Sequence, residues 1–329
     1  MNTRVKRKVK RKRRKLRLFL FVFLLLIIGA GTYTYMVYND VANAVDKMHN
    51  PLDRVVSEKR EVQAQFANQD PLSILLVGVD EREDDRGRTD SMLVLTINPK
   101  LGSTKILSIP RDTRAELIDN DDPDNNWISK INHAYNGGIE MSIDTVEHFL
   151  NVPIDYYVQV SMEGFQDIVD AVGGIDVYNE RSFELDGVYL EEGQHHLNGE
   201  EALAYARMRK EDPRGDFGRQ ERQREVISKV IDKGVSLSSL ANYGDILKAL
   251  EKNIKTNFTL DDMIDIQLKY KDAAKQLDKM EIEGEGEILN DGGWYFLVSD
   301  ETRQNLSDDL RTHLELPHDE VDPSKASLR

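Results

Sequence analysis

The chain has no cysteine. Disulfides, a thiol nucleophile and thiolate metal ligands are therefore excluded together, although the compartment does not follow from this alone. Its seven histidines carry no metal signature: His195-His196 is a pair in a polar stretch, and no His-Glu-x-x-His occurs. No Gly-x-Ser-x-Gly elbow and no Walker loop is present, which argues against a hydroxyl nucleophile supplied by the protein and against a nucleotide P-loop. No internal repeat is visible. Charge is also missing from one place, since nothing between Arg17 and Asp40 is ionised at neutral pH.

The charges that are present are unevenly divided. Residues 1–17 hold 11 Lys or Arg and no acid, leaving 33 basic residues against 59 acidic ones, a net of −26 in the remainder. The overall −15 conceals a basic tail joined to an acidic body. An acidic body is poorly suited to nucleic acid, which needs broad phosphate neutralisation, so no nucleic-acid partner is expected. Leu18 to Tyr38 is an apolar run with tyrosines towards its end. At about 1.5 Å per residue it reaches roughly 30 Å, the thickness of a bilayer core. A cleaved signal peptide is the other reading, but the run is long and continues past Gly29-Ala30-Gly31 with more apolar and aromatic residues. The expectation is a single-pass signal anchor over 18–38, in contact with the lipid bilayer. Its basic flank at 1–17 stays in the cytoplasm, and the body lies outside the cell.

Residues 39–70 read as a partly helical stalk, 71–316 as one large α/β domain, and 317–329 as a flexible polar tail. Ser73 to Val79 is a short apolar run typical of a buried strand, with Asp80 at its carboxyl end. Ser91–Asn98 and Thr104–Ile109 read as strands joined by a Pro- and Gly-containing turn. Such a hairpin brings Arg88 and Asp90 close to Arg111 and Asp112. Asp80 joins that edge if its strand runs parallel to Thr104–Ile109, and ligands of open α/β sheets bind beyond strand carboxyl ends. Ile154–Val160 reads as a strand, Ser161 as a helix N-cap, and Gly173-Gly174 as a C-cap before a strand at Ile175–Tyr178. Asn198 with Glu201 forms a capping box. Arg207 and Arg209 would face nearly opposite sides of a continuing helix, so both reach one ligand only if the helix ends near Ala206. A further helix from about Phe217 projects Arg219 and Gln223 from its first turns, where the helix dipole favours an anion.

Four compact arginine motifs thus stand out, each with an acid or amide beside it: 87–90, 109–112, 206–209 and 216–223. Guanidinium groups grip phosphate oxygens as planar forks, and neighbouring carboxylates hold a divalent metal against the same anion. This is the chemistry of a diphosphate site, with Mg²⁺ (or Mn²⁺) at Asp80 and Asp90 as the expected cofactor. Isolated surface ion pairs, Arg88 with Asp90 and Arg111 with Asp112, are the plainer explanation of each motif taken singly. Lys130 and Asn132 could also contact an anion.

The ordered set Gly-Val-Asp80, Gly-Arg88-Thr-Asp90, Asn98-Pro, Ser-Ile-Pro-Arg111-Asp112-Thr, Lys130-Ile-Asn132, Ala-Arg207-Met-Arg209 and Asp216-Phe-Gly-Arg219-x-x-Arg222-Gln223 resembles the LytR–CpsA–Psr family, most closely its Gram-positive teichoic acid transferases. The resemblance spans roughly 73 to 233 and implies an α-β-α sandwich with a central mixed sheet. It implies a polyprenyl-pyrophosphate-linked glycopolymer as donor, its lipid in an apolar tunnel, and a peptidoglycan sugar hydroxyl as acceptor. Carried over motif by motif, Asp80 and Asp90 would hold the metal. Arg88, Arg111, Arg207, Arg209, Arg219 and Gln223 would contact phosphates, with Arg88 and Arg111 also acting in catalysis. Asp112 and Asp216 are candidates for the general base, or simply orient arginines. A pyrophosphohydrolase and a non-enzymatic membrane regulator are the rival readings.

Overall fold

Apolar runs between turn signals become strands here, and segments opened by Ser, Thr or Asn become helices. The computed structural model describes residues 3–82, 85–119, 122, 126–234, 243–323 and 326; at some positions, including 3–20, 22, 80–82 and 85–88, only the backbone course is described. Helix α1 (Thr3–Met48) leads through an irregular stretch to β1 (Leu72–Arg82), β2 (Asp85–Asn98) and β3 (Ser103–Ile109). The hairpin β4 (Arg114–Leu117)–β5 (Trp127–Lys130) precedes α2 (Ile139–Leu150), β6 (Tyr156–Ser161) and α3 (Met162–Ala171). Four short strands follow: β7 (Ile175–Asn179), β8 (Phe183–Leu185), β9 (Val188–Leu190) and β10 (Gly193–Leu197). Next come α4 (Gly199–Arg207), α5 (Asp216–Gly234), α6 (Tyr243–Asn253), β11 (Ile254–Thr256) and α7 (Leu260–Asp265). Strand β12 (Gln276–Met280), the hairpin β13 (Glu285–Ile288)–β14 (Trp294–Leu297) and α8 (Asp300–His313) complete the order.

The central sheet is mixed and runs β11-β6-β1-β2-β3-β12. β1 is antiparallel to β2 and β2 to β3, so β1 and β3 point the same way, while β6 and β12 add in parallel. Period-two alternation sends β1 residues to opposite faces. Leu75, Val77 and Val79 join Met92, Val94, Leu107 and Ile109 against α2 and α8 through Ile143, Val146, Leu306 and Leu310. Each such side chain contributes about 1.5–3 kcal/mol when fully buried. Leu76, Gly78, Leu93, Val158 and Val160 turn to the other side, towards α3, α4, α5 and α6. The helices are started by their sequence: Ser161 accepts from Gly164 N, and Asn198 and Glu201 form a reciprocal box. Gly173 and Gly174 take positive φ (83° and 80°) at the end of α3, which favours glycine.

Over 39–70 the helix continues only to Met48, and the chain beyond is irregular and fastened to the domain. Ala44, Val45 and Met48 are buried, and Asn50 N donates to Thr256 O at 2.7 Å. Arg54 binds Glu147 through both terminal nitrogens, and Arg60 meets Asp155 at 2.9 Å with both side chains buried. Such buried pairs hold position strongly, because losing one partner strands a charge. The expected span 18–38 lies within α1, but the side chains at 18–20 and 22 lie outside the described residues. Among the described residues no helix is long and apolar enough to cross a membrane. The expected flexible tail begins at 317, and its described residues contact the domain. Arg311 Nε donates to Pro317 O, Val321 N donates to Gln304, and Val321 and Ala326 are buried, so main-chain groups of the tail cap buried arginines. Residues 324, 325 and 327–329 lie outside the described residues.

Asp144 sits beside Arg54 in this linker contact. Burial raises its carboxyl from the ordinary 3.8 to about 6, against the pull of Arg54 and helped by Glu147, Glu140 and Glu58. A carboxyl that holds its proton more tightly when folded supports the fold below the unfolded value, and that support is lost as pH rises through about 6. Asp144→Asn is therefore expected to raise the thermal midpoint at pH 8 by about 2–4 °C. At pH 4.5, between the two values, the gain should shrink to roughly a third; calorimetry at both pH values checks this, with Arg54 still held by Glu147 in the variant.

Candidate active site

The sheet register builds the site. Asp80 lies opposite Arg88, and Met92 opposite Ile109, so the carboxyl ends of β1 and β3 and the amino end of β2 share one edge. Register shifts at Gly78/Val79 and Asp80/Arg82 bend β1 there, as bulges do near sites. The side chains of Asp80 and Arg88 lie outside the described residues; their backbone positions are at this edge. Arg111 follows β3 and pairs with Asp90. Its Nε also stands 3.7 Å from Asp112 Oδ2, while Lys130 Nζ reaches Asp112 Oδ1 at 2.7 Å. Both oxygens of Asp112 are thus engaged by cations that it orients. Burial works against the Arg111 charge, but Asp90, Asp112 and Asp216 outweigh it and raise its pKa.

Helix α5 brings the second half. Asp216 begins it, Arg219 Nη2 lies 2.7 Å from Asp216 Oδ1, and Gln220 Nε2 donates to Asp216 Oδ2 at 2.9 Å. Arg219 is only 6% exposed and its Nη2 is 3.5 Å from Asp90 O, which joins the two halves. Burial holds its pKa below the ordinary value, and the charges of Arg111 and Arg209 push the same way, against Asp216 and Asp90. Among the described residues its Nε and the buried Asn132 Oδ1 and Thr89 Oγ1 have no hydrogen-bond partner. A buried, under-compensated guanidinium next to two more arginines is a strong attractor for an anion.

Helix α4 ends at Arg207, with Met208 extended (φ −57°, ψ 133°), so the helix stops one residue beyond Ala206. The guanidinium of Arg207 is half-exposed and contacts Asp186 at 3.2 Å, on the turn between β8 and β9. Gln223 is buried. With Arg207, Ser91 and Gly78 it lines one part of an apolar cavity of about 300 Å³ enclosed by the sheet and α3–α6. The other walls are aliphatic or aromatic, including Leu93, Phe165, Val226 and Leu250. The cavity and the arginine cluster therefore adjoin.

Arg222 holds this geometry together, a role the sequence reading left unassigned. It is buried, with Nε donating to Tyr205 O at 3.0 Å, Nη1 to Asp212 Oδ2 at 2.6 Å and Nη2 to Met208 O. Asp212 Oδ1 also accepts from Arg214 N at 2.8 Å. The turn carrying Arg209 is thus tied to α5. Arg224, one turn from Gln220, binds Ser108 Oγ at 2.6 Å and secures α5 to β3. The spacing Arg219, Arg222 is visible in sequence, but which arginine faces ligand and which faces scaffold is not. Among the described residues no group of three or more His, Asp or Glu stands at metal-holding distance. The donors that do gather at the edge are carboxylate, amide and hydroxyl oxygens, which suit a hard cation.

Residues 34–312 match the LytR_cpsA_psr family. The chain belongs to it. A relative in Bacillus anthracis, named polyisoprenyl-teichoic acid–peptidoglycan teichoic acid transferase TagU, is 52% identical over 283 residues, 86% of this chain and 91% of that protein. The crystal structure of B. subtilis TagU has a TM-score of 0.59 and 43% identity, covering 75% of this chain and 98% of that one. A structure of TagT bound to LI-WTA has a TM-score of 0.67 and 30% identity, covering 82% and 100%. As a family member, the chain shares the α/β architecture and central mixed sheet expected from the motifs.

Gly218 offers a test of the scaffold. A Cβ there would meet Asp212 Oδ2 at 1.8 Å, and that carboxylate is fixed by Arg222 and Arg214 N. Glycine to alanine inside a helix ordinarily gains about 1 kcal/mol. Gly218→Ala should instead lose about 1–2 kcal/mol in urea unfolding, because the side chain unhooks Asp212 from Arg222.

Proposed function

We propose that this protein is a membrane-anchored transferase of cell wall biogenesis. It moves an anionic glycopolymer of the wall teichoic acid type from a polyprenyl-pyrophosphate carrier to a peptidoglycan sugar hydroxyl. The observation that carries this reading is the apolar cavity opening beside buried, under-compensated Arg219 and its neighbour Arg111. An amphiphile with a long apolar chain and a diphosphate head matches both halves at once, and a water-soluble diphosphate would leave the cavity unused. The names of the 45–52% identical relatives and the TagT complex agree with it.

In this reading the lipid chain lies along Leu93, Val158, Phe165 and Val226, and the diphosphate sits among Arg88, Arg111, Arg207, Arg209 and Arg219, with Gln223 at the cavity edge. The rate then comes from positioning and from neutralising charge on the non-bridging and leaving oxygens. Asp112 holds Arg111 and Lys130, and Asp216 holds Arg219, so both carboxylates orient cations. Asp80 and Asp90 are the residues that would hold Mg²⁺, which when bound supplies further neutralisation of the phosphate oxygens. Leu18–Tyr38 is proposed as the bilayer span, with the domain outside the cell. The support is that α1 runs unbroken from the apolar run to Met48 and packs on α6, whose Leu250 also lines the cavity, so the helix that carries the run borders an element of the cavity wall.

Reconstituted full-length protein, given polyprenyl-diphosphate saccharide and peptidoglycan oligomers, should form a phosphodiester-linked product. Arg111→Lys or Arg219→Lys should lower kcat/KM by at least tenfold, about 1.4 kcal/mol of lost transition-state stabilisation for each tenfold step, because a point charge replaces a fork. The lipid should raise the thermal midpoint of the parent more than that of either variant. Release of free polymer without ligation would favour hydrolysis instead. EDTA should suppress transfer, and Asp90→Asn should weaken Mg²⁺ binding measured by calorimetry; an unchanged affinity removes Asp90 from the metal.

A further inference from the structure

The β13–β14 hairpin is stitched to the loop that carries Arg111 and Asp112. Phe296 N donates to Asp112 O at 2.9 Å, and Phe296 bridges to Thr113. One side of β14 is used for anchoring: the Tyr295 ring lies under Lys130 Nζ at 5.7 Å, and its hydroxyl donates to Asp291 at 2.7 Å. On the other side Phe296 is buried in the core and Trp294, two residues before it, is exposed. Phe217, directly after Asp216, meets Phe296 edge-on at 5.9 Å. Phe217 is 39% exposed, Trp294 40%, and Ile288, opposite Trp294, 70%. The Trp294 indole lies against Gly286, where a Cβ would come within 2.5 Å of it. Two exposed rings, Phe217 beside Asp216 and Trp294 further out, are thus joined through buried Phe296, with the tryptophan seated against a glycine.

Exposed rings of this size are costly unless something covers them, and flat aromatic faces suit the C–H faces of sugar rings. Two observations choose the sugar. The lipid cavity lies on the sheet face lined by Leu76, Gly78 and Leu93, whereas Phe296 packs into the core of the opposite face with Met92 and Ile109. Displacement at phosphorus is in line, so with the lipid phosphate departing towards the cavity, the attacking hydroxyl arrives from the hairpin side. Second, the hairpin and its approach carry Glu283, Glu285, Glu287 and Asp291, which repel a polyanionic donor and tolerate a hydroxyl-rich strand.

We propose that Trp294 and Phe217, exposed on either side of buried Phe296, bind the peptidoglycan glycan strand and present its hydroxyl to the diphosphate site. The inference rests on the transfer reading above and adds the acceptor surface to it. The acceptor hydroxyl forms the new bond to phosphorus, the bond from that phosphorus to the lipid phosphate oxygen breaks, and the hydroxyl proton passes to the departing lipid phosphate.

The test uses full-length protein in detergent and uncrosslinked peptidoglycan oligosaccharides, titrated by calorimetry and by tryptophan emission. Both tryptophans of the chain, Trp127 and Trp294, lie on the hairpins flanking Asp112, so emission should shift on binding. Trp294→Ala should weaken oligosaccharide affinity and raise the acceptor KM by about tenfold, with affinity for the polyprenyl-diphosphate donor retained. Trp294→Tyr should restore most of the binding. Gly286→Val, which tips the indole while keeping it, should act like Trp294→Ala and guards against a folding defect in that variant. Equal oligosaccharide affinity in parent, Trp294→Ala and Gly286→Val overturns the assignment, as does a selective loss of donor affinity. Binding through Trp294 without transfer would retain the hairpin site and refute the transferase reading; transfer with Trp294-independent binding would do the reverse.

Discussion

The register of β2 between its two neighbours governs this protein. Because β2 is antiparallel to both β1 and β3, three segments separated in sequence end at one edge, and Asp80, Arg88, Asp90, Arg111 and Asp112 share a small space. A slip of one residue would turn every side chain of β2 to the other face, burying charge in the apolar layer and emptying the edge. The alternation that fills the core with Met92 and Val94 therefore also sets the chemistry. Stability and function are enforced by the same pairing.

Around this edge cations and carboxylates are interleaved. Arg111 is satisfied by carboxylates, whereas Arg219 is buried near Arg111 and Arg209 with its Nε unpartnered among the described residues. Holding that arrangement without a ligand costs free energy, which is offset by the scaffold of Arg222, Asp212 and Arg224 beneath it. An anion entering the cluster gains interactions already oriented for it, so little reorganisation is required on binding. The acidic remainder of the domain keeps the attraction local.

The two faces of the sheet are unlike. One face opens to an apolar cavity framed by α3–α6; the other carries α2, α8 and the two hairpins at its upper edge. A donor with a lipid chain and an acceptor approaching from the hairpins would reach the diphosphate from opposite sides. The irregular stretch after Met48 is pinned by half-buried Arg54 and the buried Arg60 side chain, so α1 and the domain are coupled through packing rather than through a loose tether.

Local chemistry alone determined a good deal. Ser161, Asn198 with Glu201, the Gly173-Gly174 turn and the 91–109 hairpin are legible because caps, turns and period-two alternation act over a few residues. The arginine motifs, and the condition that α4 stop near Ala206, follow from charge chemistry and helical geometry. Tertiary structure decided what depends on distant partners. Arg219 and Arg222 sit three apart on one helix, yet one joins Asp216 and Asp90 O at the strand edge and the other is consumed by Tyr205, Met208 and Asp212. The cavity walls are ordinary apolar residues until α3–α6 and the sheet enclose them. The segment after Pro317 reads as polar and loose, and becomes ordered only because buried arginines on α8 need its carbonyls. Sequence names the groups; only the folded chain assigns each one its partner, because burial and pairing are properties of contacts between segments far apart in the chain.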